Sequence, residues 1–140
     1  MKKKITYKLE DQVGYLLRRA NQRHTSIFFD ELGQQLTPMQ FAVLVKIGDE
    51  GEVSQNRLGR LTAMDPATVQ GVVRRLSDRQ LIDARPDPED RRRSLWQLSE
   101  RGSNFLIKAI PEAITISEQT LEPLSQIDQK TFLELLRKLT

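Results

Sequence analysis

Between Asp65 and Ser99 the chain carries two local signals that few folds satisfy together. Asp65-Pro66 opens a helix, because Asp accepts hydrogen bonds from the first free N–H groups and Pro at the first helical position forfeits an N–H that had no partner. Val69, Val72, Val73 and Leu76 then recur at helical spacing. The opposite face, with Pro66, Ala67, Thr68, Gln70, Gly71, Arg74 and Arg75, is small, polar and basic. A short apolar run, Leu81-Ile82-Asp83-Ala84, leads to a charged tip over Arg85–Arg93 and a returning strand over Ser94–Ser99. Trp96 alternates with Leu95 and Leu98 on that strand, which places it in packing at the hairpin base.

A capped helix with a small polar face, followed by an arginine-tipped hairpin, is the plan of a winged helix-turn-helix. Small side chains let a helix backbone approach base edges in the major groove, and a basic wing reaches the next groove. Thr68, Gln70 and Arg74 are base-contact candidates, Gln being suited to adenine, while Arg75 is a phosphate anchor. Arg92, at the tip, is the groove candidate. Arg91 and Arg93 face elsewhere, either on phosphate or in salt bridges to Asp87, Glu89 and Asp90. Ser54, Gln55 and Asn56, at the start of the preceding helix, are placed to bond phosphate through helix N–H groups.

The flanks are helical. A first helix is expected from about Lys8 to Leu32, with Leu9, Val13, Leu16, Leu17, Ala20, Ile27 and Phe28 on one stripe and Gly33 as terminator. Thr37-Pro38 starts a second helix closing at Gly48, and Ser54 caps a third through Leu61. Ser99 caps a fifth, which Pro111 should kink or interrupt, and a sixth runs from Ser125 to Lys138. The fold expected is mainly α (α+β): a winged helix-turn-helix over residues 36–99, with long terminal helices over residues 1–35 and 100–140 in one continuous domain. Apolar stripes this long at both ends exceed what the central unit can cover, so a homodimer is expected, matching two-fold operators.

Charge supports the same placement. The chain of 140 residues has a net charge of +3, and residues 54–79 hold 5 Lys/Arg against 2 Asp/Glu, so the basic excess sits mainly on the helix-turn-helix. No cysteine and one histidine argue against a metal site, and no cofactor is expected. No apolar run reaches signal-peptide or membrane-spanning length, so a soluble cytoplasmic protein is expected. No nucleophile–base pair or glycine-rich phosphate loop is present, and enzyme chemistry is not expected.

Asp90-Arg91-Arg92, then Leu98-Ser99 and Gly102, resemble the wing signature of the multiple-antibiotic-resistance-regulator (MarR) family of bacterial transcription factors, with Ser where the family has Thr. Leu36–Leu44 and Leu58–Thr62 are similar to that family's second and third helices. The resemblance implies that Arg92 enters the minor groove, that Asp90 orients it, and that residues 66–75 read the major groove. Asp11–Ala20, Gln22-Arg23-His24 and Ile27-Phe28, with Ser54–Asp65, resemble the branch that represses catabolism of nicotinate and other aromatic acids. That implies a repressor of a palindromic operator, released by a small aromatic carboxylate or its thioester. Arg18 or His24 would hold the carboxylate, with Phe28 against the ring; alternatively His24 is a satisfied core histidine and Arg18 is plainly exposed. The other function class is a winged-helix protein–protein or architectural module, which would show apolar residues across 67–75.

Overall fold

Five of the six helices begin at a Ser, Thr or Asp whose side-chain oxygen accepts from the backbone N–H three residues on. Each such residue satisfies a donor that the helix cannot satisfy itself, and together they punctuate the chain. The computed structural model describes all 140 residues. Its helices are α1 (Val13–Glu31), α2 (Pro38–Glu50), α3 (Gln55–Leu61), α4 (Pro66–Asp78), α5 (Glu100–Leu121) and α6 (Gln126–Arg137). Strands β1 (Val53–Ser54), β2 (Ile82–Pro86) and β3 (Ser94–Leu98) form an antiparallel sheet in the order β1-β3-β2. The architecture is mainly α with a small sheet, a winged helix-turn-helix between terminal helices.

Three boundaries differ from the sequence expectation. The first helix starts later: Leu9–Asp11 is a single 3₁₀ turn, Gln12 is extended, and its side-chain amide donates to the Lys8 carbonyl at 2.9 Å instead of capping α1. The second helix passes through Gly48 and ends at Gly51, whose φ of 76° is the left-handed conformation that glycine adopts without steric cost. The fifth helix is not interrupted at Pro111. A strand absent from the expectation, β1, pairs Val53 with Trp96 and Ser54 with Leu95. Two residues are too short for any periodic signal.

The core sits where α2, α3 and α4 meet the hairpin. Leu44, Ile47, Leu58, Leu76, Leu81 and Ile82 are at most 2% exposed. Central strand β3 lies between β1 and β2, and Pro86 is tolerated because β2 is an edge strand. The hairpin base is tied to α5 at Gly102: a Cβ there would lie 1.9 Å from the Leu81 carbonyl oxygen. Ser99 completes this joint, its N–H donating to Leu81 O at 3.1 Å and its hydroxyl to Gln80 O at 2.7 Å.

The terminal helices are covered on one side only. α1 packs along α5 but has one buried residue, Phe28, and α6 has none. Leu9, Val13, Leu16 and Leu17, expected on one stripe with Phe28, are all at least 44% exposed. No helix is long and apolar enough to cross a membrane.

Candidate nucleic-acid interface

α4 presents the face that the sequence marks. Val69, Val72, Val73 and Leu76 are buried, which turns Ala67, Gln70, Arg74 and Arg75 outward as exposed residues, with Thr68 and Gly71 half-buried at the margins. A Cβ at Gly71 would meet nothing within 4 Å, so the helix surface there is bare backbone. Asp65 caps the helix, accepting from Thr68 N at 2.8 Å and from the Thr68 hydroxyl at 2.8 Å. The Thr68 N–H, and then its hydroxyl, hold the Asp65 carboxyl below the usual carboxylate range. The cap is therefore charged at neutral pH, and the stability it adds is lost only as pH falls through that lowered pKa. With its proton engaged by Asp65, the Thr68 hydroxyl offers only an acceptor to an incoming group, and its methyl remains apolar.

The start of α3 lies beside the wing. Ser54 Oγ accepts from Arg57 N at 3.3 Å, and the Arg57 guanidinium pairs with Glu50 at 3.1 Å, so neither group is idle. Ser54, Gln55 and Asn56 border a cleft of about 300 Å³ with Arg93, Ser94 and Trp96. Gln55 and Asn56 also line a cleft of about 250 Å³ with Arg60, Pro66 and Val69. Trp96 packs on the core at the wing base, as its alternation predicts. Arg60 is exposed, makes no ion pair and was not singled out by the sequence; as a single arginine on a seven-residue helix it gives no pattern to read.

The wing tip spans Asp87–Arg93, because β2 extends two residues beyond the expected strand. Asp90 meets Arg92 at the backbone and not at the guanidinium: its Oδ1 accepts from Arg92 N at 3.0 Å. The three arginines divide. Arg93 pairs with Asp87 at 3.4 Å and Asp90 at 3.9 Å, whereas exposed Arg91 and Arg92 have no acidic partner. Asp87 is 7% exposed, a buried carboxylate that the sequence reading named only as one salt-bridge alternative.

Within one chain, Arg18, His24 and Phe28 occupy different surroundings. Arg18 is exposed on α1, and Phe28 is a core residue whose ring lies 6.4 Å from that of Phe41. His24 lines a cavity of about 450 Å³ between α1, α5 and α6, with Leu17, Asn21, Ser117, Thr120 and Phe132 among the other walls. The Thr120 hydroxyl donates to Ile116 O at 2.8 Å, so at 2.9 Å from His24 Nδ1 it accepts. Nδ1 therefore carries a proton in this contact. Beside it, Arg23 donates to the last carbonyls of α5, Gln119 O at 2.9 Å and Thr120 O at 3.3 Å.

Comparison with known proteins agrees with this geometry. Over 134 residues the chain is 43% identical to the HTH-type transcriptional repressor NicR of Pseudomonas putida, covering 95% of this chain and 85% of that one. A probable transcriptional regulator from Pseudomonas aeruginosa matches in structure with a TM-score of 0.91 at 47% identity, covering 95% of this chain and 100% of the other. The Bordetella bronchiseptica protein BpsR, whose DNA binding is regulated by 6-hydroxynicotinic acid, matches with a TM-score of 0.92 at 38% identity, covering 96% and 97%. Residues 34–93, from the α2 approach through the wing tip, match the MarR family directly. The chain belongs to the MarR family.

Proposed function

We propose that this protein is a homodimeric, sequence-specific repressor that binds a two-fold operator through α4 and the wing and leaves it when a small aromatic acid binds. The observation that carries the DNA reading is the division of the cations. Arg74 and Arg75 on α4 and Arg91 and Arg92 on the wing are exposed without acidic partners, beside a bare helix surface at Gly71. Cations that the fold leaves unpaired on one functional face suit phosphate and groove contacts. In this reading Thr68, Gln70 and Arg74 contact the bases with Ala67 beside them, Ser54, Gln55, Asn56 and Arg75 face the backbone, and Arg92 the minor groove.

Residues 36–99 are assigned to DNA binding, and residues 1–35 and 100–140 to dimerisation. Val13, Leu16, Leu17 and Ala20 of α1, with Phe132, Leu135, Leu136 and Leu139, line a trough of about 330 Å³ that is wholly apolar. An apolar surface of this kind is stable in water when a second copy covers it. The relatives NicR and BpsR support the repressor and aromatic-acid parts of the reading. The protein acts as a cytoplasmic regulator and not as an enzyme.

The test is fluorescence anisotropy with a duplex enriched from a random pool. Arg92→Ala is expected to weaken binding at least tenfold and to flatten the dependence of log K on log salt by about one per subunit, leaving the melting temperature unchanged. A variant that binds normally but melts early would make Arg92 a structural residue.

A further inference from the structure

We propose that Asp87 sets the DNA-binding geometry of the wing: it holds Arg93 in an ion pair within the hairpin, removes that arginine from the phosphate-contacting set, and fixes the turn that presents Arg91 and Arg92. This rests on the DNA-binding reading above. Asp87 is the only acid of the chain that is buried, although it sits on an exposed loop. Charged side chains are almost never buried without a partner, and Asp87 has two. Its Oδ1 accepts from Glu89 N at 2.9 Å, and its Oδ2 lies 3.4 Å from Arg93 Nη2. Its own N–H donates to Arg93 O at 3.0 Å, closing the loop across both ends. Inside that closure Arg93 N donates to Asp90 O at 3.0 Å, and Asp90 takes Arg92 N. The Asp87 carboxylate is thus the buried anchor of a loop whose remaining ties run through exposed Arg93 and half-buried Asp90.

Burial decides whether DNA could recruit Arg93. The Arg93 side chain is 54% exposed, so its own gain from the pair is modest, but the Asp87 side chain is only 9% exposed. Moving Arg93 onto a phosphate would leave a buried carboxylate with one N–H for company, close to the phosphate backbone. Stranding a buried charge costs more than an exposed pair returns. Arg93 stays, and the wing offers DNA two arginines instead of three.

Asp87→Asn separates the two roles. Asparagine keeps an oxygen for Glu89 N–H and loses the buried charge beside Arg93, leaving only the longer 3.9 Å contact to Asp90. The variant is expected to bind random-sequence duplex severalfold more tightly than wild type. Its salt dependence should be steeper by about one per subunit, and its preference for the pool-enriched duplex should fall. A merely structural defect would weaken binding and would not add a salt-dependent contact. In Asp87→Asn/Arg93→Ala the added slope should vanish. This double variant removes Arg93 without stranding a charged Asp87, and is expected to keep the wild-type slope where Arg92→Ala lowers it.

Anisotropy titrations of wild type and these three variants on both duplexes, across salt, decide the matter. An Asp87→Asn/Arg93→Ala slope as shallow as that of Arg92→Ala would overturn the proposal, as would an Asp87→Asn protein with wild-type slope and preference. A wild type that binds neither duplex would overturn the DNA-binding reading and the clasp together, a pattern distinct from either.

Discussion

Gly71 is the residue whose role the sequence and the structure define most sharply together. It sits mid-helix, where glycine is about 1 kcal/mol less favourable than alanine, and nothing within 4 Å would obstruct a side chain. Folding alone therefore favours alanine at this position. Gly71→Ala is expected to raise stability by up to about 1 kcal/mol while weakening operator binding, because the added methyl projects from the face that approaches the bases. Thermal melts and anisotropy on the same preparation check both signs, and unchanged affinity would mean that this face stays clear of the groove. The identities of the exposed residues on α4 were legible because cap, proline and valine spacing fix the rotation of the helix. The pairing of Arg93 was not legible among its alternatives, because which arginine of three meets which acid depends on how the turn closes. Asp87 stayed in the background for the same reason: in sequence it is one more acid in a charged loop.

At the scale of elements, local chemistry that fixes helix starts was legible, and geometry that depends on distant partners was not. Thr37, Ser54, Asp65, Ser99 and Ser125 cap as their sequences imply. The wing signature also has a physical reading: Ser99 caps Gly102 N at 2.9 Å and ties α5 to the turn after α4, and Gly102 lets the Leu81 carbonyl in. Gly102→Ala is thus expected to destabilise the fold by several kcal/mol, since backbone on both sides must move. Chemical denaturation measures it, and a loss below about 1 kcal/mol would mean that the joint is pliable. β1 and the Gly51 stop were missed because each is set by tertiary pairing or a single backbone angle. α6 is the converse case: its apolar spacing was plain, yet no residue of it is buried within the chain. Leu135→Glu therefore alters no intrachain core contact, and is expected to give a monomer by sedimentation where the wild type gives a dimer. A dimeric Leu135→Glu protein would move the interface off the α1–α6 trough.

On the scale of the whole molecule, the candidate effector cavity and the DNA-binding face are connected through packed side chains. His24 on α1 meets Thr120 of α5, and Arg23 holds the end of the same helix. At the far end of α5, Phe105 lies 5.5 Å under the guanidinium of Arg79, the residue that ends α4, and Arg79 also donates to Gln35 O at 2.6 Å. On the proposed mechanism, a ligand that displaces α1 against α5 would shift the base of α4. In a dimer such shifts change the separation of two recognition helices that must meet major grooves about 34 Å apart. The ligand must bind the off-register state better, and a coupling of about 1–3 kcal/mol corresponds to roughly 5–150-fold in operator affinity. Reciprocity requires that operator DNA weaken ligand binding by the same factor. His24 lines this cavity, and the acid that regulates the relative BpsR carries a ring hydroxyl. Calorimetry of 6-hydroxynicotinate, nicotinate and hydroxybenzoates, with and without operator duplex, is expected to show binding that DNA weakens, that favours the hydroxylated acids, and that His24→Ala reduces. If none of them binds, or if those that bind leave operator affinity unchanged, the sensor reading fails and the DNA-binding reading stands alone.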